Sequence, residues 1–359
     1  MKLPYRYIRI IIINCLIIVI AVTAQAQRNN FVPWYIEGIE SVQVFNPRGS
    51  YFPDTSHALD FRTNPPSQIN TRPNSAGPYA SICDSVGNLL FYGSSHTYYN
   101  SSHKLIKGCC IYNPSLQQGC AYVGFPFVQG GLALPNPAKP GQYYVFVISN
   151  GILRYDIIDF RFSKQGQFYP GISVYNFPSV NSIFTAVHNA TGDGYWITAR
   201  SGDSLYAFAF NNKGIGSPVF SYEPEPKYLL GSLPYSHLSF RPSHQGNFFV
   251  SIFYNNDSGG NVFTYDFNNL NGKFSNQKLI VDYRKKLPQY LFLNLIDVAF
   301  SPNDSLFYII SGQMASGGLQ NDDTITRLLQ FDRYKPASGY QVVYGTNGLK
   351  NYSFGGNAY

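Results

Sequence analysis

Charge is scarce in this sequence. Charged side chains make up 13% of its 359 residues, about half the roughly 25% of an ordinary soluble domain. Glutamate is rarer still, present only as Glu37, Glu40, Glu223 and Glu225. A glycosidase needs two carboxylates flanking one bond. Glu223-Pro224-Glu225-Pro226 sets two close together, but its proline spacing reads as a solvated turn. No Lys/Arg stripe of the kind a nucleic-acid binder carries is present, so nucleic acid is not an expected partner. Also missing are a Gly-x-Ser-x-Gly elbow, a phosphate-cradling Gly-x-x-x-x-Gly-Lys loop, a His-Glu-x-x-His helix and any Cys-x-x-Cys or Cys/His spacing for zinc. The sequence nominates no catalytic, cofactor-binding or metal-ligating residue, and it leaves the binding residues unidentified. Sustained helical periodicity with start and stop signals is lacking outside the N-terminal segment.

Residues 1–26 carry Lys2, Arg6 and Arg9, the aliphatic run Ile10 to Ile20, and then Ala24-Gln25-Ala26. This is the layout of a cleavable export signal, with cleavage expected after Ala26. The alternative is a retained anchor, but the uninterrupted apolar run is shorter than the ~20 residues of a spanning helix. No stable membrane span is expected after cleavage. Asn14 before Cys15 argues against a lipid anchor. The signal holds three of the 26 basic residues and none of the 19 acidic ones, so much of the formal charge of +7 belongs to targeting.

What the chain does have is a repeat. The turn Asp84-Ser85-Val86-Gly87-Asn88, followed by Leu89-Leu90-Phe91-Tyr92, has counterparts centred on Gly141, Gly194, Gly246 and Asp304, at steps of 54, 53, 52 and 58 residues. An apolar strand precedes each turn, as in Ala80 to Ile82, Leu132 to Leu134, Phe184 to Val187, Leu238 to Phe240 and Val298 to Phe300. An aromatic or β-branched strand follows each one. A third strand comes next, seen in residues 153–157, 205–210, 262–267 and 328–332, and is closed by a second turn at Gly166, Gly214, Gly272 and Gly339. A fourth strand can follow, as in residues 219–222, 279–281 and 341–344. Four strands in a repeat of this period describe a propeller blade. The expected fold is all-β, a β-propeller of six to seven four-stranded blades, with a final blade absent at the C-terminus as one way of reading the count.

One small sheet has two apolar faces and cannot cover both alone; neighbouring blades can. Burying each aromatic side chain is worth roughly 1.5–3 kcal/mol, so most of the 30 Tyr and 28 Phe are assigned to packing between blades before any ligand stacking. Residues 27–75, interrupted by Pro65-Pro66 and Pro73, read as an irregular lead-in that could supply a ring-closing strand. Residues 76–359 read as the propeller. Residues 311–323, rich in Gly, Ser, Asn and Asp, read as an inserted surface loop.

Leu59-Asp60-Phe61, Ala80-Ser81-Ile82 with Asp84, Gly87 to Tyr92, Lys139-Pro140-Gly141 with Tyr143-Tyr144, Leu153-Arg154-Tyr155, Thr185 to His188, Tyr195-Trp196 and Phe300 to Asn303 recur in order. In this the chain resembles the N-terminal, WD40-like propeller region of large exported proteins of the Bacteroidetes, many of which end in a gliding-motility-associated sorting domain. The resemblance spans most of residues 50–335. It departs at Gly93-Ser94-Ser95-His96, where the family has an Asp-Gly turn, and it lacks the family's closing blade and sorting domain. It implies export and a secreted or cell-surface location, and no chemistry.

Thr191-Gly192-Asp193-Gly194-Tyr195-Trp196 is similar to the Asp-box turn of sialidase propellers, a structural device in which the Asp bonds turn amides and the Trp packs the blade. His57, His96, His103, His188, His237 and His244 are read first as turn or strand histidines hydrogen-bonded to backbone, with an acid-base or metal role as the alternative for any of them. Asn255 to Asn261 and Asn321-Asp322-Asp323 offer hard oxygens, without the spacing of known calcium loops. Cys83, Cys109, Cys110 and Cys120 are an even set in an exported chain. A bridge from Cys120 to Cys109 or Cys110 would close a short loop, and Cys83 equally suits a small buried residue. The resulting expectation is a non-enzymatic exported propeller binding a surface protein or a glycan. The alternative is a carbohydrate-active lyase or hydrolase with an axial active site.

Overall fold

A computed structural model describes residues 56–60, 67–71, 79–84, 87–94, 97–108, 131–149, 151–178, 182–202, 204–222, 236–255, 259–281, 294–312 and 326–345. Among them, regular structure is β throughout, apart from the short 3-10 turn Pro336–Ser338. A hairpin of β1 (Ser56–Asp60) and β2 (Ser67–Thr71) falls within the lead-in. Then come β3 (Tyr79–Cys83), β4 (Leu89–Ser94) and β5 (Thr97–Asn100), a three-stranded sheet. Four antiparallel sheets follow, each of four strands in sequence order. They are β6 (Gly131–Pro135) to β9 (Gln167–Asn176), with β7 (Gln142–Ser149) and β8 (Ile152–Asp159) between; and β10 (Ser182–His188), β11 (Tyr195–Ser201), β12 (Ser204–Asn211) and β13 (Gly214–Tyr222). The last two are β14 (Ser236–Pro242), β15 (Phe248–Asn255), β16 (Gly259–Asn268) and β17 (Lys273–Val281); and β18 (Asn294–Phe300), β19 (Leu306–Gly312), β20 (Thr326–Asp332) and β21 (Tyr340–Gly345).

The chain divides into two compact units. One comprises Met1–Tyr122, Gly141–Val145 and Asp156–Pro170; the other comprises Val123–Pro140, Phe146–Tyr155 and Gly171–Tyr359. In the second unit the first strands of successive sheets lie side by side, β10 on β14 and β14 on β18. The fourth strands β13 and β17 also touch. Sequential four-stranded meanders that pack face to face, with like strands adjacent, are the blades of a β-propeller. The fold expected from the repeat is the fold observed.

The packing follows from the side-chain period of two. On β15, Phe248, Val250 and Ile252 point to the β18–β21 sheet, where they join Val298, Phe307, Ile309, Leu329 and Phe331. Phe249 points the other way and joins Trp196, Leu205, Phe240, Phe267 and Phe274. With both faces covered, the strand reads as a nearly unbroken apolar run. In the first unit, Phe91 meets Tyr143 edge-on at 5.6 Å and stacks on Phe160 at 6.0 Å. Tyr98 stacks on Phe168 at 5.8 Å. Cys83 is buried in β3, as the packing reading of this residue expects. Cys109, Cys110 and Cys120 lie outside the described residues, as do the proposed signal 1–26, residues 27–55 of the lead-in, and all but Ser311-Gly312 of the inserted loop, those two ending β19.

Candidate functional site

The strand-one-to-strand-two turns share one geometry. In four of them the fourth residue donates its amide to the carbonyl of the first: Gly87 to Asp84, Gly192 to Asn189, Gly246 to Ser243 and Asp304 to Ser301. That fourth residue has φ of 86, 74, 66 and 57° respectively. Glycine takes this left-handed conformation without steric penalty, whereas aspartate pays about 1–2 kcal/mol. In the third repeat the left-handed residue is Gly192, two positions before the Gly194 that the spacing singles out. Gly194 is required for a different reason, because a Cβ there would collide with the Phe210 carbonyl.

Asp304 is offset by what its carboxylate does. It is 1% exposed and reaches across to the turn of the preceding blade, accepting the amides of His244 and Gln245 at 2.8 Å each. It also meets the His244 ring Nδ1 at 2.7 Å. Arg333 lies 3.8 Å from the same carboxylate and donates to Asn247 Oδ1 at 2.6 Å. Asp297 makes the corresponding link between first strands. Register shifts at His237/Ser239 in β14 and Leu295/Asp297 in β18 mark bulges, which re-aim side chains. Asp297 there accepts from Ser239 Oγ at 2.7 Å and from both prongs of Arg241, at 3.0 and 2.8 Å. Burial opposes the charge on Asp297, but the Arg241 and Ser239 donors together hold its pKa below the ordinary carboxylate value.

Arg200 of β11 is fully buried and donates to Ser251 Oγ at 3.0 Å and Tyr265 Oη at 2.9 Å, both on the next blade. Its guanidinium sits over the Phe263 ring at 5.4 Å. In the first unit, Asp159 accepts from Arg161 (Nη2 at 2.6 Å) and Gln142 (3.0 Å). Chiefly the Arg161 donors lower its pKa to about 2.

The Asp193 turn departs from its expected pattern. Asp193 Oδ1 takes its hydrogen bonds chiefly from side chains, the Thr191 hydroxyl at 2.5 Å and Asn189 Nδ2 at 2.8 Å, with its own turn amide the weakest contributor. Those donors lower its pKa. Trp196 does pack between blades, donating from Nε1 to the Asn269 carbonyl at 2.7 Å and facing Gly272.

Among the described residues, His103, His188 and His244 each have separate partners. His103, at φ 58°, bonds the Tyr92 hydroxyl at 2.8 Å. His188 lies 4.8 Å from the Tyr195 ring, and burial lowers its pKa below the ordinary imidazole value. Burial likewise pushes the Tyr195 phenol up to about 12. His244 belongs to the Asp304 link. His57 and His237 lie in strands whose side chains at these positions are outside the described residues, and His96, Glu223 and Glu225 lie outside them altogether. Of the two oxygen-rich loops, residues 256–258 and 321–323 also lie outside. Among the described residues, no three His, Cys, Asp or Glu side chains gather to hold a metal ion. The inter-blade links were not legible in the sequence, because their partners lie 51 to 65 residues apart.

These features define an all-β propeller protein in which Asp304, Asp297 and Arg200 join one blade to the next. No protein-family model and no curated protein matches the chain. It is similar to solved structures at low identity. The β-propeller domain of Cps50 (Swd1) from Myceliophteria thermophila is 13% identical, with 83% of this chain and 84% of that one covered and a TM-score of 0.42. The periplasmic gluconolactonase of Pseudomonas aeruginosa is 13% identical, with 84% and 80% covered and a TM-score of 0.43. A putative TolB from Agrobacterium tumefaciens is 9% identical, with 82% and 89% covered and a TM-score of 0.40.

Proposed function

We propose that this chain is an exported, non-enzymatic β-propeller that serves as a binding or scaffold module at the cell surface, taking a protein or a glycan. The observation that carries the reading is the use of four of the described charged groups. Asp304, Asp297, Asp159 and Arg200 are each engaged by several donors or acceptors within the fold, an arrangement that fixes blades and leaves little freedom for proton transfer. Large apolar side chains stand exposed at blade-end turns, with Leu270 at 69% and Tyr334 at 73%, where a partner can meet them. Export rests on the layout of residues 1–26 and on the resemblance to exported Bacteroidetes propellers.

The test has two parts. Expression of the whole chain followed by mass spectrometry of its N-terminus should find processing after Ala26. The purified protein should then show saturable binding to a glycan array or to purified surface proteins, with no bond cleavage in the bound ligand. Turnover of a bound saccharide or lactone would replace this reading with the enzymatic one.

A further inference from the structure

Within the first unit, Phe162 is 81% exposed at the tip of the turn that follows β8, the most exposed of the large apolar side chains described. Its only described ring partner is the Arg161 guanidinium, 5.0 Å from the ring centroid. This turn is stitched to the segment after β5. Asn100 Nδ2 donates to Gln165 Oε1 at 2.9 Å, and Phe168 donates its amide to the Lys107 carbonyl at 2.8 Å. Lys104 donates its own amide to Asn100 Oδ1 at 3.1 Å. The two stitched segments therefore carry Lys104, Lys107 and Lys164, all exposed, together with Phe162 and with Arg161, whose charge is matched by Asp159. The acids of these two segments, Asp156 and Asp159, are 2% and 3% exposed. Asp84, elsewhere in the unit, is half-buried and bound by Asn88.

We infer that this surface docks on an anionic lipid bilayer, with Phe162 entering the headgroup boundary and Lys104, Lys107 and Lys164 meeting lipid phosphates. Charge complementarity selects the occupant, since every exposed charge in the two segments is positive. The extended phenyl ring separates a bilayer from a soluble polyanion, because only the bilayer offers an apolar phase beneath its charges. One aromatic anchor and a small basic patch give weak, reversible association. The inference does not depend on which protein or glycan the chain binds.

The experiment uses the protein as cells process it, its N-terminus determined, with Phe162→Trp as a reporter that residues 1–26 cannot mimic. With phosphatidylcholine vesicles containing phosphatidylglycerol, the tryptophan emission that Phe162→Trp adds over wild-type protein, in which only Trp34 and Trp196 emit, should shift to the blue, and the shift should weaken as salt is raised. Lys104→Glu, Lys107→Glu and Lys164→Glu, checked for unchanged thermal midpoints, should each raise the half-saturating lipid concentration about fivefold or more. The absence of a blue shift would overturn the proposal, as would an equal shift with pure phosphatidylcholine. Binding to dextran sulfate as tight as to vesicles and unaffected by Phe162→Ser would identify a soluble polyanion as the partner and overturn it equally.

Discussion

The carboxylate of Asp304 is hydrogen-bonded to both the backbone amide and the ring of His244, a residue 60 positions earlier in the neighbouring blade. The same aspartate occupies the left-handed turn position that glycine fills in three other blades. Local strain and a long-range link thus reside in one side chain.

Replacing Asp304 tests both roles. Asp304→Ala keeps the strained backbone and removes the charged acceptor of two amides, and should lower stability by about 2–3 kcal/mol. Asp304→Gly relieves the strain while losing the link, and should cost less. Urea unfolding of both variants gives the difference. Equal stability of the two would show that strain at this position is negligible.

Two glycines separate space from conformation. At Gly272, φ is +74° and a Cβ would lie 2.6 Å from the Trp196 ring. At Gly192, φ is the same and nothing lies within 4 Å. Gly192→Ala should cost about 1 kcal/mol from backbone strain alone. Gly272→Ala should cost at least 1 kcal/mol more through overpacking, with a change in tryptophan emission. Thermal melts read the stability difference.

Arg200 is buried among partners on another blade. Its truncation to Ala should cost about 2–5 kcal/mol through the cavity it leaves, whereas Tyr265→Phe, which removes one hydroxyl, should cost about 1 kcal/mol. Arg200→Met, filling the volume without charge, should fall well below Arg200→Ala. Denaturant midpoints at a constant slope would check this order.

Acid should weaken the fold in two stages. His188 has a lowered pKa, so its contribution is present above the unfolded value near 6.5 and is lost as pH falls below it. Asp159, lowered to about 2, contributes stability above roughly pH 4, lost progressively as pH falls toward 2. Stability measured at pH 7, 5 and 3 should fall at each step. Asp159→Asn should shrink the second step, leaving the part that Asp193 and Asp297 contribute, and leave the first unchanged.

The strands were readable in the sequence wherever aromatic and β-branched residues alternate between turn residues, as in Leu205 to Phe210 and Val262 to Phe267. β9 was not readable in this way, because Pro170-Gly171 interrupts a strand that nonetheless runs from Gln167 to Asn176. It sits at the edge of its sheet, where a missing amide donor is tolerated. The turn motif likewise pointed to Gly194, although Gly192 adopts the left-handed conformation, since composition alone does not separate a residue needed for φ from one needed for close approach. The links at Asp304, Asp297 and Arg200 join residues about one repeat apart. No local pattern announces them, and only the stacking of blades brings their partners together.

Because β15 sends alternate side chains to two different neighbours, the phase of that strand is fixed from both directions. A single-residue insertion between Phe248 and Ile252 would exchange the two sets beyond it, moving the Ser251 hydroxyl away from Arg200 and setting an aliphatic group against the guanidinium. Length variation around β15 is therefore confined to its connections, while its interior tolerates change only by substitution.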